Sequence, residues 1–198
     1  MPNGEVGEED RTLATYESAA ALYIERTERT RPELEVFMTE FASAVRIGRV
    51  LEIGSGPGWD AVYLDGLGLQ VERSDATAAF VDRMRADGYA ARRLNVVTDD
   101  LGGPYGGIFA NAVLLHLTRD EFFDVLERAR SASRVLAFTV KEGDGEEWST
   151  AKLDLPRHFT YWREQAVREA VESAGWTVTS LERVGEPGTQ QWLFVLAT

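Results

Sequence analysis

The sequence predicts a doubly wound α/β chain: a mostly parallel seven-stranded sheet with an antiparallel C-terminal strand, preceded by an N-terminal helical lid. Three observations predict it. Short apolar runs alternate with segments whose apolar residues recur at helical spacing, the pattern of strand–helix–strand units with parallel strands. A glycine-rich turn joins the first of these runs directly to a helix. The last two runs are separated by a short turn, GEPG at 185–188. They must be antiparallel to each other, because a parallel connection takes about a dozen residues or more.

Taken in order, residues 1–10 read as an acidic flexible arm with no apolar signal core. From residue 11 to about 29, Leu13, Tyr16, Ala20, Tyr23 and Ile24 recur at helical spacing. A second helix starts at Pro32, a favourable first-turn residue, and runs to about residue 45. These two form the lid (11–46), and residues 49–198 form the core of what reads as one domain, 11–198. Strands are expected at 49–53, 69–73, 91–95, 108–114, 134–140, 176–182 and 191–197. Helices are expected at 59–67, at 77–87, at 119–129 with Thr118 as N-cap, and at 162–174 with Gly175 as its stop. Residues 141–159 read as irregular. The whole is Rossmann-like.

Composition narrows the chemistry. The chain has no cysteine and two histidines, which removes disulfides, thiolate zinc sites and histidine-rich metal cages, so no metal is expected. Lys and Arg number 21 against 33 Asp and Glu, a net charge of −12. Such a surface repels phosphate backbones and argues against nucleic-acid partners. No apolar run approaches the ~20 residues that span a bilayer, so a membrane partner is not expected. A cytoplasmic setting fits, as does a monomer or homodimer acting on a small molecule.

The most informative segment is VLEIGSGPGW, residues 50–59. Gly54, Gly56 and Gly58 follow a strand and open a helix, where absent side chains let the backbone turn tightly and approach a ligand. Asp75 lies 21 residues beyond Gly54, at the end of the second strand, where a carboxylate can accept bonds from both hydroxyls of a ribose. The spacing is G-x-G-x-G and not the dinucleotide G-x-G-x-x-G. With Glu52 just upstream, it suits a ligand that carries an ammonium and no phosphate. Glu52 is read as favouring that ammonium through charge or a water.

This segment resembles the first motif of class I S-adenosylmethionine-dependent methyltransferases, and the order of elements matches theirs from about Thr12 to Thr198. The compact bacterial small-molecule members are the most similar. The resemblance implies S-adenosylmethionine as cofactor and S-adenosylhomocysteine as product. It also implies that Gly54, Ser55, Gly56 and Gly58 lie under the methionine part and that Asp75 holds the ribose. Ala76, Thr77, Asn95 and Val96 would then lie beside the adenine, with Ala110, Asn111 and Ala112 beside the sulfonium. Asn95 stands where the family often has Asp; its amide oxygen can still accept the adenine amino group. Gly106 and Gly107 stand where an Asp commonly opens the fourth strand. In the family, tyrosines spaced like Tyr16 and Tyr23 close over the methionine end.

Methyl transfer from a sulfonium is an in-line displacement, so the protein mainly aligns the reactants and excludes water. A base is needed only where the acceptor must lose a proton. The two histidines are the candidate catalytic groups. His116 follows the fourth strand and is expected to face the cleft, as general base, as a group orienting the acceptor, or as pocket lining. His158 belongs to the segment LPRHFTYW, residues 155–162. There Arg157 suits an anionic substrate group and Phe159, Tyr161 and Trp162 suit an aromatic acceptor pocket; the alternative is ordinary core aromatics at the start of a helix. The expected activity is methyl transfer to O or N of a small metabolite, with natural-product biosynthesis as a fitting context. A nicotinamide-dependent oxidoreductase and a non-catalytic S-adenosylmethionine-binding module are the alternatives.

Overall fold

The computed structural model describes residues 8–29, 31–46 and 48–198. Its sheet contains β1 (Arg49–Ile53), β2 (Gln70–Asp75), β3 (Ala91–Arg93), β4 (Gly107–Ala110), β5 (Leu136–Lys141), β8 (Val178–Val184) and β9 (Trp192–Ala197). The strand order is β3-β2-β1-β4-β5-β9-β8. β9 runs antiparallel to both its neighbours, and the pairs from β3 through β5 are parallel. This is the expected doubly wound sheet. Strand order reverses where β1 pairs with both β2 and β4, and in such sheets the crevice for a ligand opens at the carboxyl ends of those strands.

Two apolar layers sandwich the sheet. On one face, α5 (Arg119–Ala132) and α6 (Glu164–Ser173) contribute Phe122, Val125, Leu126, Val167 and Val171 against Leu51, Ile53, Ile108, Phe138 and Val195. Thr118 caps α5 in a reciprocal capping box with Glu121. On the other face, α2 (Pro32–Val45) and α3 (Trp59–Gly66) contribute Phe37, Met38, Phe41, Val45 and Leu64 against Val50, Phe109, Ala137 and Phe194. The alternation along each strand divides its apolar residues between the layers. Helix α4 (Ala78–Ala86) lies against β2, β3 and α1 (Glu8–Glu25), and α1 crosses to reach the hairpin described next.

Several expectations are corrected. Residues 141–159 are not irregular throughout: β6 (Glu146–Ser149) and β7 (Arg157–Thr160) pair antiparallel as a separate two-stranded sheet. Each strand is only four residues long, and β7 is buried throughout, so neither shows an alternating pattern in the sequence. The fourth strand ends at Ala110, not 114. Ala112 turns the chain with φ +56°, and Leu114–His116 form a single 3-10 turn. Leu114 and Leu115 are apolar because that turn is buried, and a buried turn and a buried strand have the same composition. Helix α1 begins at Glu8, inside the stretch expected to be arm, and ends at Glu25. Residues 1–7 of that arm lie outside the described residues.

Gly107 explains the departure at the start of the fourth strand. A Cβ there would lie 2.5 Å from Val45 Cγ2 and 2.6 Å from Phe41 Cζ, because α2 seats directly on this end of β4. Gly107→Ala should therefore destabilise the fold by about 1–3 kcal/mol, the usual cost of overpacking a filled core. The check is a urea-unfolding midpoint; a variant as stable as the parent would show that α2 is not packed in this way.

Candidate active site

The glycine loop is fastened to the neighbouring strand before any ligand is considered. The Ser55 amide donates to Ser74 O (2.8 Å), the Ser74 amide to Ser55 Oγ (3.1 Å), and Ser74 Oγ to Glu52 O (2.7 Å). Asp75 completes the fastening, with Oδ2 accepting from the Gly56 amide and Oδ1 from the Thr77 amide, both at 2.8 Å. The carboxylate is buried. Burial pushes its pKa up, and the two amides oppose that rise. A carboxylate offers about four acceptor sites, so the two amides and the Thr77 side chain, which also bonds it, leave acceptor capacity for a ligand. Gly54 sits at φ +66°, and a Cβ on it would lie 2.4 Å from Val113 Cγ2. Only glycine fits this position.

Two chambers open on this loop. The first, about 750 Å³ including its mouth, has Gly54, Gly56, Asp75, Phe80, Asn111 and His116 in its wall. Tyr16, Tyr23, Ala76, Thr77, Asn95, Val96 and Ala112 complete the set of expected residues that it gathers. Asn95 Oδ1 accepts the Val97 amide (2.9 Å), which holds its side chain in a local turn. The second chamber, about 1080 Å³ including its mouth, lies across Gly54, Gly56, Tyr23, Asn111 and Ala112, which border both. Ser55 belongs to the second.

Asn111 is held on both sides. Its Nδ2 donates to Asp60 Oδ2 (2.8 Å), and its Oδ1 accepts from Thr139 Oγ1 (2.7 Å), which in turn accepts the Ala112 amide (2.8 Å). Burial raises the pKa of Asp60. Asp60, Thr139 and Phe80 were not singled out in the sequence. Asp60 directly follows the glycine loop, and its position there is the one signal the sequence offered.

Helix α1 closes the first chamber. It kinks at Ala19, where φ is −114° and ψ 17°, yet Tyr16 and Tyr23 still share a face, their rings in edge contact at 5.5 Å. The Tyr16 hydroxyl lies 2.8 Å from His116 Nε2. His116 Nδ1 lies 2.6 Å from His158 O. A carbonyl can only accept, so Nδ1 carries the proton and Nε2 accepts from Tyr16. Burial, with Arg157, Lys141 and His158 nearby, pushes the imidazole down to about 3. Both ring nitrogens are thus engaged and the ring is neutral.

The remaining expected residues stand outside the chamber walls. Glu52 is buried beneath the loop with Oε2 unpartnered, and burial, with Asp60 beside it, raises it to about 8. That rise disfavours the negative charge by which it was expected to favour an ammonium; the alternative through a water does not depend on that charge. Gly58 and Ala110 lie behind the walls. Arg157 is buried, donating to Tyr16 Oη (3.2 Å) and Ala151 O (2.5 Å), so it braces the lid and does not face an open anion site. Phe159 stacks at 4.8 Å on the His116 ring, and Trp162 at 4.4 Å on Phe122 within the core. Tyr161 donates to Glu147 Oε1 (2.5 Å) on the hairpin. The aromatic acceptor pocket expected from these residues is instead core and strut. His158 is buried, its Nε2 3.4 Å from Glu146 Oε2 and its amide bonded to Thr12 Oγ1 (3.0 Å).

No family model matches the chain, and no curated protein matches it. Solved structures do. The chain is similar to DhpI in its complex with SAH, at 20% identity and a TM-score of 0.81 over 98% of each chain. It is similar to the CcbJ methyltransferase from Streptomyces caelestis, at 17% identity and a TM-score of 0.73 over 98% of each. It is also similar to the Burkholderia thailandensis 1,6-didemethyltoxoflavin-N1-methyltransferase, solved with 1,6-didemethyltoxoflavin and S-adenosylhomocysteine. That match has 19% identity and a TM-score of 0.68, over 100% of this chain and 91% of that one. The chain therefore has the Rossmann-like fold of these methyltransferase structures.

Glu52 gives the site a measurable signature. Between the ordinary carboxyl range and about 8, the folded protein holds a proton that the unfolded chain releases, so this group's contribution to stability falls as pH rises. Glu52→Gln should remove that loss. Its advantage over the parent in urea unfolding should widen from about pH 5 to about pH 8 and then level off. Parallel stability curves would mean that the buried carboxyl ionises freely.

Proposed function

We propose that this protein is an S-adenosylmethionine-dependent methyltransferase acting on O or N of a small-molecule acceptor, with S-adenosylhomocysteine as product. One observation carries the reading: Gly54, which tolerates no side chain, and the Asp75 carboxylate face the same chamber at the point where strand order reverses. The similarity in fold to structures solved with S-adenosylhomocysteine, among them a named methyltransferase, supports it. The nicotinamide alternative draws no support from those similarities.

The residues present fit the cofactor. Asp75 would accept the ribose hydroxyls through its remaining acceptor capacity. Ala76, Thr77, Phe80, Asn95, Val96 and Leu117 would surround the adenine, and Gly54 and Gly56 would underlie the methionine part. When bound, the cofactor supplies a methyl group already activated as a leaving electrophile on a sulfonium. The chain's own contribution is then alignment and exclusion of water. Asn111, fixed by Asp60 and Thr139, stands in the wall common to both chambers, where donor and acceptor would meet. Tyr16, bonded to His116 and Arg157, latches α1 over the first chamber. We assign His116 to this positioning role, because a base must present a free lone pair to the acceptor, and the one on Nε2 is taken by Tyr16.

The acceptor is assigned to the second chamber, and a natural-product intermediate lies within the class. The net charge of −12 supports a small molecule over nucleic acid. Among the described residues no helix is long and apolar enough to cross a membrane. A cytoplasmic monomer or homodimer remains part of the proposal.

Calorimetric titration should show binding of S-adenosylmethionine and S-adenosylhomocysteine but not of NAD. Asp75→Ala should weaken both nucleosides by about tenfold or more, the value of hydrogen bonds to a charged group. Unchanged affinity would remove the ribose assignment. His116→Gln should act as the loss of a latch: weaker cofactor binding, with turnover on an identified acceptor reduced only a few-fold. A fall in turnover of about 100-fold with cofactor affinity intact would instead make it the base. A metabolite screen with labelled methyl donor separates an enzyme from a binding module.

A further inference from the structure

The second chamber carries charge of the opposite sign to the rest of the molecule. Its wall contains Arg26, Arg29, Arg31 and Lys152 against two carboxylates, Glu28 and Asp60, in a chain whose net charge is −12. Arg26 is engaged, its Nη1 3.0 Å from Asp154 Oδ2 and 2.6 Å from Lys152 O. The other three make no direct ion pair or hydrogen bond through their side chains among the described residues; Asp60 and Glu28 act on Arg31 and Lys152 at longer range, and each of the three lies over an aromatic ring. Arg29 lies 5.8 Å from the Trp59 ring, Arg31 5.8 Å from the Trp192 ring, and Lys152 4.5 Å from the Tyr23 ring. A ring orients a cation without cancelling its charge.

We propose that Arg29, Arg31 and Lys152 form the subsite for an oxyanion group, carboxylate or phosphoryl, on the methyl acceptor. The inference rests on the methyltransferase reading for the word acceptor, but the anion site stands on the chamber itself. Burial first, then Arg157, Arg31 and Lys141, pushes the Lys152 ammonium down to about 8, with Glu28 opposing the fall. Lys152 sits at φ +74°, a conformation costly for a residue other than glycine, and its carbonyl is held there by Arg26. Lys152 thus stands in the chamber wall with its backbone tied to Arg26. Against Glu28 and Asp60 in the same wall, the three leave one cation in excess, and an acceptor oxyanion would meet it. An acceptor held by its anionic end would lie against Asn111 and Ala112, which also border the first chamber.

The test is to titrate inorganic phosphate and, separately, acetate into the protein, with and without saturating S-adenosylhomocysteine. At least one anion should bind the parent protein, and the tighter of the two identifies the group. Arg31→Gln and Lys152→Gln should each weaken it by about tenfold, as for loss of a charge-assisted hydrogen bond, while nucleoside affinity stays within about twofold and the melting curve is unchanged. The proposal is overturned if neither anion binds the parent, or if both variants bind anion as well as the parent does. It is overturned equally if nucleoside affinity falls in step with anion affinity, because the cations would then serve the cofactor's carboxylate. Failure of the parent to bind the nucleoside would instead sink the methyltransferase reading, and the titration without nucleoside would still decide the anion site.

Discussion

The Asp75 carboxylate accepts two backbone amides, one from the glycine loop after β1 and one from the start of α4, and so ties together the chain segments that leave the neighbouring strands β1 and β2. A buried carboxylate without partners would be costly; with two amide donors, each worth about 1.5–3 kcal/mol when the acceptor is charged, it becomes a fastening. The loop geometry, the position of the α3 N-terminus and the floor of the first chamber all follow from this tie. The same oxygens that hold the loop also face the chamber. Structure and the proposed recognition therefore depend on one side chain, and a substitution there should disturb both.

A second dependency runs through the lid. Helix α1 reaches the core by polar contacts with β7, the segment before it and the 3-10 turn after β4: Thr12 to the His158 amide, Thr15 to Pro156 O, and Tyr16 to His116 and Arg157. Such contacts are each worth about 0.5–1.5 kcal/mol, so they can be made and broken more easily than the apolar layers under the sheet. The hairpin of β6 and β7 is the strut that carries the partners of α1. Neutral His116, engaged at both nitrogens, belongs to this hinge between lid and core. The chamber on the far side of Asn111 has a different character, with cations held by rings.

Much of the fold was legible because its signals are local and repeated. Apolar runs with glycine stops marked β1, β2, β5, β8 and β9, and the GEPG turn fixed the direction of β9. Pro32 and Thr118 marked two helix starts. The hairpin was invisible because strands of four residues leave no periodicity to read, and β7 is buried through contacts with α1, more than a hundred residues away in sequence. The 3-10 turn after β4 was misread for the same reason: burial made it apolar, and apolar composition alone does not distinguish turn from strand.

The sequence by itself determined the chemistry of the first chamber. Three glycines after a strand and an acid after the next one are local features, and neighbouring parallel strands bring them together whatever the rest of the chain does. Only the tertiary structure decided the roles of Glu52, Arg157, His116 and Lys152. The charge state, partners and direction of a side chain depend on what packs against it from distant segments: burial disfavours charge on Glu52, and Arg157 and His116 are both bonded to Tyr16 of α1. The fold also gathered cations from the α1–α2 connection and the β6–β7 loop around one cavity, which no spacing in a linear chain encodes.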